Sequence, residues 1–289
     1  MSVSRESFAH VCDLVRRRSA IVLEAGKEYL VDARLGPVAK AAGLASVDDL
    51  VAHLRRCEAR PEHEELARAI VEAMTTNETS FFRDVHPFST LETVVLPELI
   101  QARARHRTLR IWCAAASTGQ EPFSVAMLLR EHFPQVASWD VRIFATDINR
   151  SVLDRARSGV FRQLEVNRGL PVKMLVKYFD KRGLDWQIKP EIRELVSFQE
   201  LNLLARWPLF GQQDIVLMRN VLIYFDVPTK KQILGRVRQV MANDGVLFLG
   251  GSETTMNLED SLVGERLTGP GMIFRARKTA PRAGGTKAG

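Results

Sequence analysis

Residues 109–124 constrain the fold of this chain more than any other stretch, and they read LRIWCAAASTGQEPFS. The opening LRIWC is an apolar run, which predicts a buried strand of a parallel sheet. Small residues follow as far as Gly119, and Pro122 then stands in the first turn of a predicted helix, where its missing N–H costs no hydrogen bond. This succession indicates a doubly wound α/β domain, although an ordinary turn in a core has the same pattern.

The turn between the predicted strand and helix also limits the class of ligand. It contains a single glycine, Gly119, so the G-x-G-x-x-G fingerprint of dinucleotide-binding sheets is absent. A site for a pyrophosphate is therefore not expected. Any ligand of such a sheet is expected outside the carboxyl ends of the strands.

The net charge of +7 suggests nucleic acid as a partner. From Arg266 to the end, however, the chain has six cations and no acids, so the remainder is nearly neutral. The basic character is mainly a property of the C-terminal end, and it does not predict a basic groove.

Cys12, Cys57 and Cys113 show neither the pairing of a disulfide framework nor the spacing of a zinc site. The N-terminal end lacks the apolar run of a signal peptide, and no stretch approaches the ~20 apolar residues of a membrane span. These features predict a cytoplasmic protein with reduced cysteines, without a metal site and without membrane insertion.

Residues 1–75 have the apolar spacing of helices. Phe8, Val11 and Val15 share one helical face, and three further helices are predicted from similar spacing before residue 75. This part is expected to be a small all-helical domain. Its cations form either a basic face for a partner or an ordinary solvated surface, and they include Arg34, Lys40, Arg55 and Arg56.

Residues 77–84, NETSFFRD, join the helical part to the α/β part. A junction that mixes polar side chains with aromatic ones is a common place for a ligand pocket. The alternative is a helix cap at Asn77 or Thr79 followed by two phenylalanines of the core.

Residues 76–278 are expected to form the α/β domain, with further buried strands predicted near 141–146, 214–218 and 246–249. Asp147 follows the second strand, where nucleoside-binding sheets place an acceptor for the ribose hydroxyls. The same residue also fits the N-cap of the next helix, so the position alone leaves both roles open.

Residues from about 161 to 198 do not follow the alternation of strands and helices. Short β-prone segments at 178–179, 186–188 and 195–198 predict a small antiparallel β insert. The last residues, 279–289, are rich in Gly, Ala and Pro and are expected to be a disordered tail.

Taken together, six segments resemble the CheR-type, S-adenosylmethionine-dependent methyltransferases that esterify glutamates of chemotaxis receptors. They are NETSFFRD (77–84), RIWCAAASTGQEPFS (110–124), FATDIN (144–149), LNLL (201–204), DIVLMRNVLIYFD (214–226) and GVLFLGGSE (245–253). The chain departs from the family at Gln120, where Glu is usual, and at Phe123, where Tyr is usual, but it retains the acid at Glu121. The resemblance implies a Rossmann-like methyltransferase sheet with an N-terminal all-helical domain and a small β insert.

The resemblance also implies which residues bind the cofactor S-adenosylmethionine and its product S-adenosylhomocysteine. Glu121 would pair with the ammonium group, and Asp147 with the ribose. The other residues implied at the cofactor are Asn77, Thr79, Arg83, Asn202, Leu203, Asn220 and Val221. Of these, Asn202 and Leu203 would flank the adenine.

Methyl transfer to a glutamate requires few catalytic groups. The side chain has a pKa of about 4.3, so at neutral pH it is a carboxylate that needs no general base. Alignment of this carboxylate with the methyl group can contribute roughly 7–11 kcal/mol. Arg83 is expected to orient the incoming carboxylate, because a guanidinium matches its geometry. Tyr224 is expected to reach the methyl group or the same carboxylate.

The expected function is methylation of glutamates in the cytoplasmic helical region of chemoreceptors, by a monomer that binds no nucleic acid. One alternative is a methyltransferase for nucleic acid or for another protein. An amino-adenine methylase, however, would carry Asn/Asp-Pro-Pro-aromatic after the fourth strand, where this chain has Arg219-Asn220-Val221-Leu222. A second alternative is a regulatory module that binds the cofactor without catalysis, and the retained Glu121, Asp147, Arg83 and Tyr224 argue against it.

Overall fold

The computed structural model describes residues 3–58, 60–208, 211–267 and 272–277 of the 289. Its N-terminal part is all helical, as the sequence predicts. The four helices are α1 (Arg5–Ser19), α2 (Glu28–Ala41), α3 (Val47–Arg56) and α4 (Pro61–Met74). They enclose a core of their own, which includes the fully buried Val11, Leu35, Leu50 and Ile70.

Side-chain caps mark where two of these helices begin, and packing explains why a third is not interrupted by its proline. The side chains of Ser4 and Ser46 cap α1 and α3 by accepting backbone N–H groups of the first turn. Pro37 lies inside α2, where proline ordinarily breaks a helix. The helix continues because Leu35 and its neighbours on the same face are buried in the helical core, and this packing outweighs local propensity.

The remaining chain alternates strands and helices. The strands are β1 (Thr108–Ala114), β2 (Asp140–Asp147), β3 (Val160–Arg162), β4 (Phe179–Arg182), β5 (Asp185–Ile188), β6 (Val196–Glu200), β7 (Gln213–Met218), β8 (Met241–Leu249), β9 (Leu262–Arg266) and β10 (Met272–Ala276). The helices are α5 (His86–Thr90), α6 (Leu96–Arg103), α7 (Gln120–His132), α8 (Arg150–Ser158), α9 (Gln163–Val166), α10 (Val172–Tyr178), α11 (Pro190–Arg193) and α12 (Val227–Val240). A π-helical turn, Leu91–Val95, joins α5 to α6, and 3₁₀ turns occur at Pro134–Ser138 and Leu222–Tyr224.

Seven strands form the main sheet in the order β6-β2-β1-β7-β8-β10-β9. The pairs from β6 to β8 are parallel, whereas β10 is antiparallel to both of its neighbours. Ile111 and Cys113 of β1 pack in one hydrophobic core, while Trp112 and Ala114 pack in another. Both faces of the sheet are therefore covered, which confirms the doubly wound α/β architecture predicted from the sequence.

The small antiparallel sheet is present, but one of its predicted segments belongs elsewhere. β3, β5 and β4 form a three-stranded antiparallel sheet. The assignment of 195–198 to this insert is wrong, because β6 pairs in parallel with β2 at the edge of the main sheet. Val196 packs into the main core, and the alternating pattern of so short a segment does not specify which sheet receives it.

Some predictions fall outside what the structure describes. The expected disordered tail, 279–289, lies outside the described residues. The boundaries predicted for the two domains, 1–75 and 76–278, are kept as a proposal. In the described part of the chain, no helix combines the length and apolar character that crossing a membrane requires.

Glu131, near the end of α7, ties α10 to the main domain. Its carboxylate accepts hydrogen bonds from Lys177 Nζ at 2.5 Å, Lys173 Nζ at 3.0 Å and the Tyr178 hydroxyl at 2.9 Å. These donors, Lys177 foremost, lower the pKa of Glu131 from 4.5 to about 2. Because the pKa is lower in the folded state, the cluster stabilises the fold above pH 4.5 and loses this effect as the pH falls toward 2.

We predict that Glu131→Gln lowers the free energy of unfolding at pH 7 by about 1–2 kcal/mol. This is less than the full pKa shift implies, because both lysines are largely exposed and the pairs are screened by water. Urea unfolding at pH 7 and at lower pH measures the effect, with Glu58→Gln, at an exposed position, as the control. A deficit that stays constant as the pH falls well below 4.5 would contradict the assignment.

Candidate active site

A cleft opens at the carboxyl ends of β1, β2 and β7, with the helical domain on one side. It has an empty volume of about 930 Å³, open to solvent. The structure brings together all of the residues predicted at the cofactor or the reacting atoms: Asn77, Thr79, Arg83, Glu121, Asp147, Asn202, Leu203, Asn220, Val221 and Tyr224. They come from separate segments of the chain, so the cleft exists only in the folded protein.

Asp147 closes β2 and is 6% exposed. Its two carboxylate oxygens accept the backbone N–H groups of Ser117 at 2.8 Å and Asn149 at 3.0 Å. Burial raises the pKa of Asp147, and these N–H groups oppose the rise. The side chain that caps α8 is that of Asn149, so the alternative role of Asp147 as the helix cap is wrong. Each of its oxygens keeps a lone pair for a hydroxyl in the cleft.

Glu121 lies in the first turn of α7 and forms an ion pair with Arg219 at 2.7 Å. Arg219, whose side chain is 1% exposed, also donates to Asp84 Oδ2 at 2.7 Å and to the Arg83 carbonyl at 2.9 Å. Burial raises the pKa of Glu121, and the Arg219 guanidinium opposes this rise. The sequence did not assign Arg219 a role, although a charged residue directly after a fully buried strand is a signal of the ligand edge.

The loop of residues 77–84 is anchored by its aromatic residues. Phe81 is fully buried, and its ring packs edge-on against Phe161 at 5.0 Å and Phe179 at 5.7 Å. The loop therefore combines one buried phenylalanine of the core with a ligand pocket. The expected helix cap at Asn77 or Thr79 is wrong, because the next helix begins at His86 with Val85 as its cap. The buried ring holds the loop in place, while Asn77, Thr79 and Arg83 line the cleft.

Left-handed backbone conformations at residues other than glycine are concentrated in the loops around the cleft. Of the nine such residues in the described part of the chain, six lie in these loops, with φ between 47° and 67°: Phe82, Asp84, Val85, Ala115, Ser117 and Asn220. Such conformations are uncommon, and strained for a β-branched residue such as Val85. They are retained where the surrounding structure fixes the backbone, as the contacts of Arg219 and Asp147 do here.

Glu253 shapes the turn that follows β7. Its carboxylate accepts the backbone N–H groups of Asn220 at 2.8 Å, Val221 at 3.0 Å and Gly250 at 2.6 Å. One side chain thereby links the ends of β7 and β8 and fixes Asn220 and Val221 at the cleft. Sequence reasoning placed Glu253 in a motif but did not foresee this bracing role.

The helical domain forms one wall of the cleft. Ser19, the last residue of α1, and Ile21, two residues later, line it. The N–H of Val22 donates to the Tyr224 carbonyl at 3.0 Å. The amide of Asn202 donates to the Arg18 carbonyl at 2.6 Å, so this side chain holds the end of α1 against the sheet. One N–H of the Asn202 amide is used in this way, and the other remains for a ligand.

The side chains that line the cleft fit a ligand with a cationic amine, a hydroxylated sugar and a flat apolar group. Glu121 and Asp147 are two largely buried carboxylates at separate strand ends, suited to an ammonium group and to hydroxyls. Apolar contacts come from Ile21, Leu201, Leu203, Val221 and Phe225. A pocket that is mostly apolar with a few fixed polar groups is typical of a small-molecule site.

Two family models match the chain. One, described as the CheR methyltransferase all-alpha domain, matches residues 6–75. The other, described as the CheR methyltransferase SAM binding domain, matches residues 77–266. Together they cover both the helical wall and the sheet that carries the cleft.

Curated relatives are similar over nearly their whole length. Chemotaxis protein methyltransferase 1 of Pseudomonas aeruginosa is 40% identical over 282 residues, which cover 96% of this chain and 100% of the relative. Chemotaxis protein methyltransferase Cher2 of Pseudomonas putida is 38% identical with the same coverage. The chemotaxis protein methyltransferase of Salmonella typhimurium is 37% identical and covers 92% of this chain and 90% of its own.

Gly250 offers a test of the bracing by Glu253. A Cβ at this position would lie 2.7 Å from Glu253 Oε2, 2.8 Å from Asn220 Nδ2 and 3.0 Å from the Asn220 backbone nitrogen. We predict that Gly250→Ala displaces the turn and weakens binding of S-adenosylmethionine by about 1–3 kcal/mol, measured by calorimetry. Gly251→Ala is the matched control, because a Cβ there meets nothing within 4 Å. Equal affinities of the two variants would refute the bracing role.

Proposed function

The chain belongs to the CheR methyltransferase family and binds S-adenosylmethionine, and we propose that it transfers the methyl group to glutamate side chains of chemoreceptors. The products are a glutamate methyl ester and S-adenosylhomocysteine. The observation that carries this proposal is one cleft lined by every residue that the family resemblance implies. The names of the relatives, all chemotaxis methyltransferases, support the same class of reaction.

The proposed cofactor contacts follow from the charges of the cleft. Glu121 would accept the ammonium group, with Arg219 holding the carboxylate in its ionised form. Asp147 would accept the ribose hydroxyls, because its backbone contacts already orient both oxygens. Asn77 and Thr79 would close over the methionine end, and Asn202, Leu203, Asn220 and Val221 would enclose the adenosine end.

Bound S-adenosylmethionine supplies a sulfonium methyl group, which is electrophilic without further activation. In the proposed reaction, a carboxylate oxygen of the substrate would form the bond to the methyl carbon as the carbon–sulfur bond breaks, and no proton would have to move. The chain therefore has to orient the carboxylate and exclude water. Arg83 donates through one nitrogen to the Glu78 carbonyl, and its remaining N–H groups would orient the substrate. Tyr224 would contact the methyl group or the carboxylate.

The helical domain is the proposed docking surface for the receptor, with the reaction taking place in the cytoplasm. Two of the four cations named in the sequence analysis already have partners within the chain. Arg34 donates to backbone carbonyls, and Arg55 forms an ion pair with Glu6. Lys40 and Arg56 are exposed and are the cations left for an acidic helical substrate. Complementary charge of this kind favours rapid encounter over tight binding.

Labelled methyl transfer tests the proposed substrate. With labelled cofactor, we expect base-labile label on receptor-rich membranes and none on RNA or DNA, since a carboxyl methyl ester hydrolyses in base. Receptor in which the acceptor glutamates are replaced by alanine is the control for background labelling. Label that survives base, or label on nucleic acid, would refute the glutamate assignment, and binding of cofactor without any transfer would indicate a regulatory module.

Arg83 and Tyr224 are predicted to contribute more to the transfer step than to cofactor binding, although Arg83 also lies among the proposed cofactor contacts. Arg83→Ala and Tyr224→Phe should therefore lower kcat at least tenfold, while the affinity for S-adenosylhomocysteine changes by less than about threefold. Steady-state kinetics and calorimetry on the same preparations separate the two effects. Arg142→Ala, at a largely exposed arginine of β2, is the matched control. Unchanged kcat in both site variants would remove these residues from the reacting centre.

A further inference from the structure

The hydroxyl of Thr75 is the centre of a hydrogen-bond cluster between the two domains. It donates to the Glu72 carbonyl at 2.6 Å and accepts from Asn77 Nδ2 at 2.9 Å and Asn149 Nδ2 at 3.0 Å. One donor and two acceptor positions are all that a hydroxyl has, so this group is fully used. We call residues 72–77, which are the last three residues of α4 and the three that follow it, the interdomain strap.

Of the two residues whose amides bind Thr75, Asn149 contacts Asp147 directly, and Asn77 is linked to it through Ser117. The backbone N–H of Asn149 donates to one carboxylate oxygen of Asp147 at 3.0 Å. The carbonyl of Asn77 accepts from the Ser117 hydroxyl at 2.8 Å, and the Ser117 N–H donates to the other oxygen of Asp147, also at 2.8 Å. Thr75 is therefore linked to one of the two contacts that orient this carboxylate through Asn149, and to the other through Asn77 and Ser117.

The helical domain forms hydrogen bonds to the same interdomain strap through Arg34 of α2. One guanidinium nitrogen donates to the carbonyls of Met74 at 2.8 Å and Thr75 at 3.1 Å, and the other donates to Thr76 Oγ1 at 3.1 Å. A continuous set of hydrogen bonds thus runs from α2 through the interdomain strap to the end of β2. No local sequence pattern predicts it, because Arg34 and Thr75 are far apart in the chain.

We infer that Thr75 is a positioning residue through which the helical domain sets the geometry of Asn77 and Asp147 in the cofactor site. The inference rests on the proposed cofactor roles of these two residues. Without the hydroxyl, the Asn77 and Asn149 amides lose their shared acceptor. The Asn77 amide is then free to rotate, whereas Asn149 keeps only its bonds to the Glu72 carbonyl and to the first turn of α8. The backbone contacts of Asp147 then lose their support from the strap, and the site is no longer formed in advance of binding.

The test compares Thr75→Val, which keeps the shape but removes the hydroxyl, with Thr75→Ser, which keeps the hydroxyl. In the full-length chain, we expect the Val variant to bind S-adenosylhomocysteine about tenfold more weakly and the Ser variant to bind like the wild type. The KM for the cofactor should rise with the same factor while kcat at saturation is retained. Thr93→Val is the matched control, because its hydroxyl donates to the Ser89 carbonyl at 2.8 Å on an exposed helical turn outside the cleft.

A double-mutant cycle with Arg34→Met tests the link to the helical domain. We expect losses of affinity that are not additive, since both side chains act on the same strap. Additive losses, or equal losses in the Val and Ser variants, would overturn the inference.

A third variant, Asp147→Ala, shows whether a negative result contradicts only the role of Thr75 or also the proposed cofactor site. If Asp147→Ala weakens binding but Thr75→Val does not, the inference is wrong and the proposed site stands. If Asp147→Ala binds like the wild type, the cofactor role of Asp147 is wrong, and the inference fails with it.

Discussion

The buried guanidinium of Arg219 is the interaction on which the rest of the cleft depends. It joins the end of β7 to Glu121 at the start of α7 and to Asp84 at the end of the loop of residues 77–84. A buried charge is tolerated only when it is paired, so the buried guanidinium requires these two acids. The three segments that surround the proposed reaction centre are thereby held by a single side chain.

The sequence predicted the parts of the site that follow from the order of elements. Polar residues after β1, β2 and β7 had to meet, because carboxyl ends of parallel strands lie at the same edge of a sheet. The strand and helix around residues 109–124 were equally predictable, since apolar runs and turn residues are local signals. The placement of Asp147 beside the cleft rather than on a helix end required the structure, since a capping residue and a ligand-binding acid look alike in sequence.

What the sequence could not predict are contacts between residues distant in the chain. β6 was assigned to the wrong sheet because the partner of a short strand is decided by packing. The role of Arg34 was also missed, because a surface arginine and one that holds three groups of a strap have the same local surroundings in sequence. The wall that the helical domain forms at the cleft also depends on contacts between distant residues. Ile21 lines this wall, and Val22 contacts Tyr224.

The left-handed residues around the cleft set a limit on how far this protein can be made more heat-resistant. Replacing Val85 or Ser117 by glycine would relieve backbone strain but enlarge the conformational freedom of the unfolded chain and of the unliganded loop. The gain from relaxed geometry would then be opposed by the larger conformational entropy that is lost on folding. Engineering for stability would therefore do better in the helical core and the outer strands, which carry no such strained positions among the described residues.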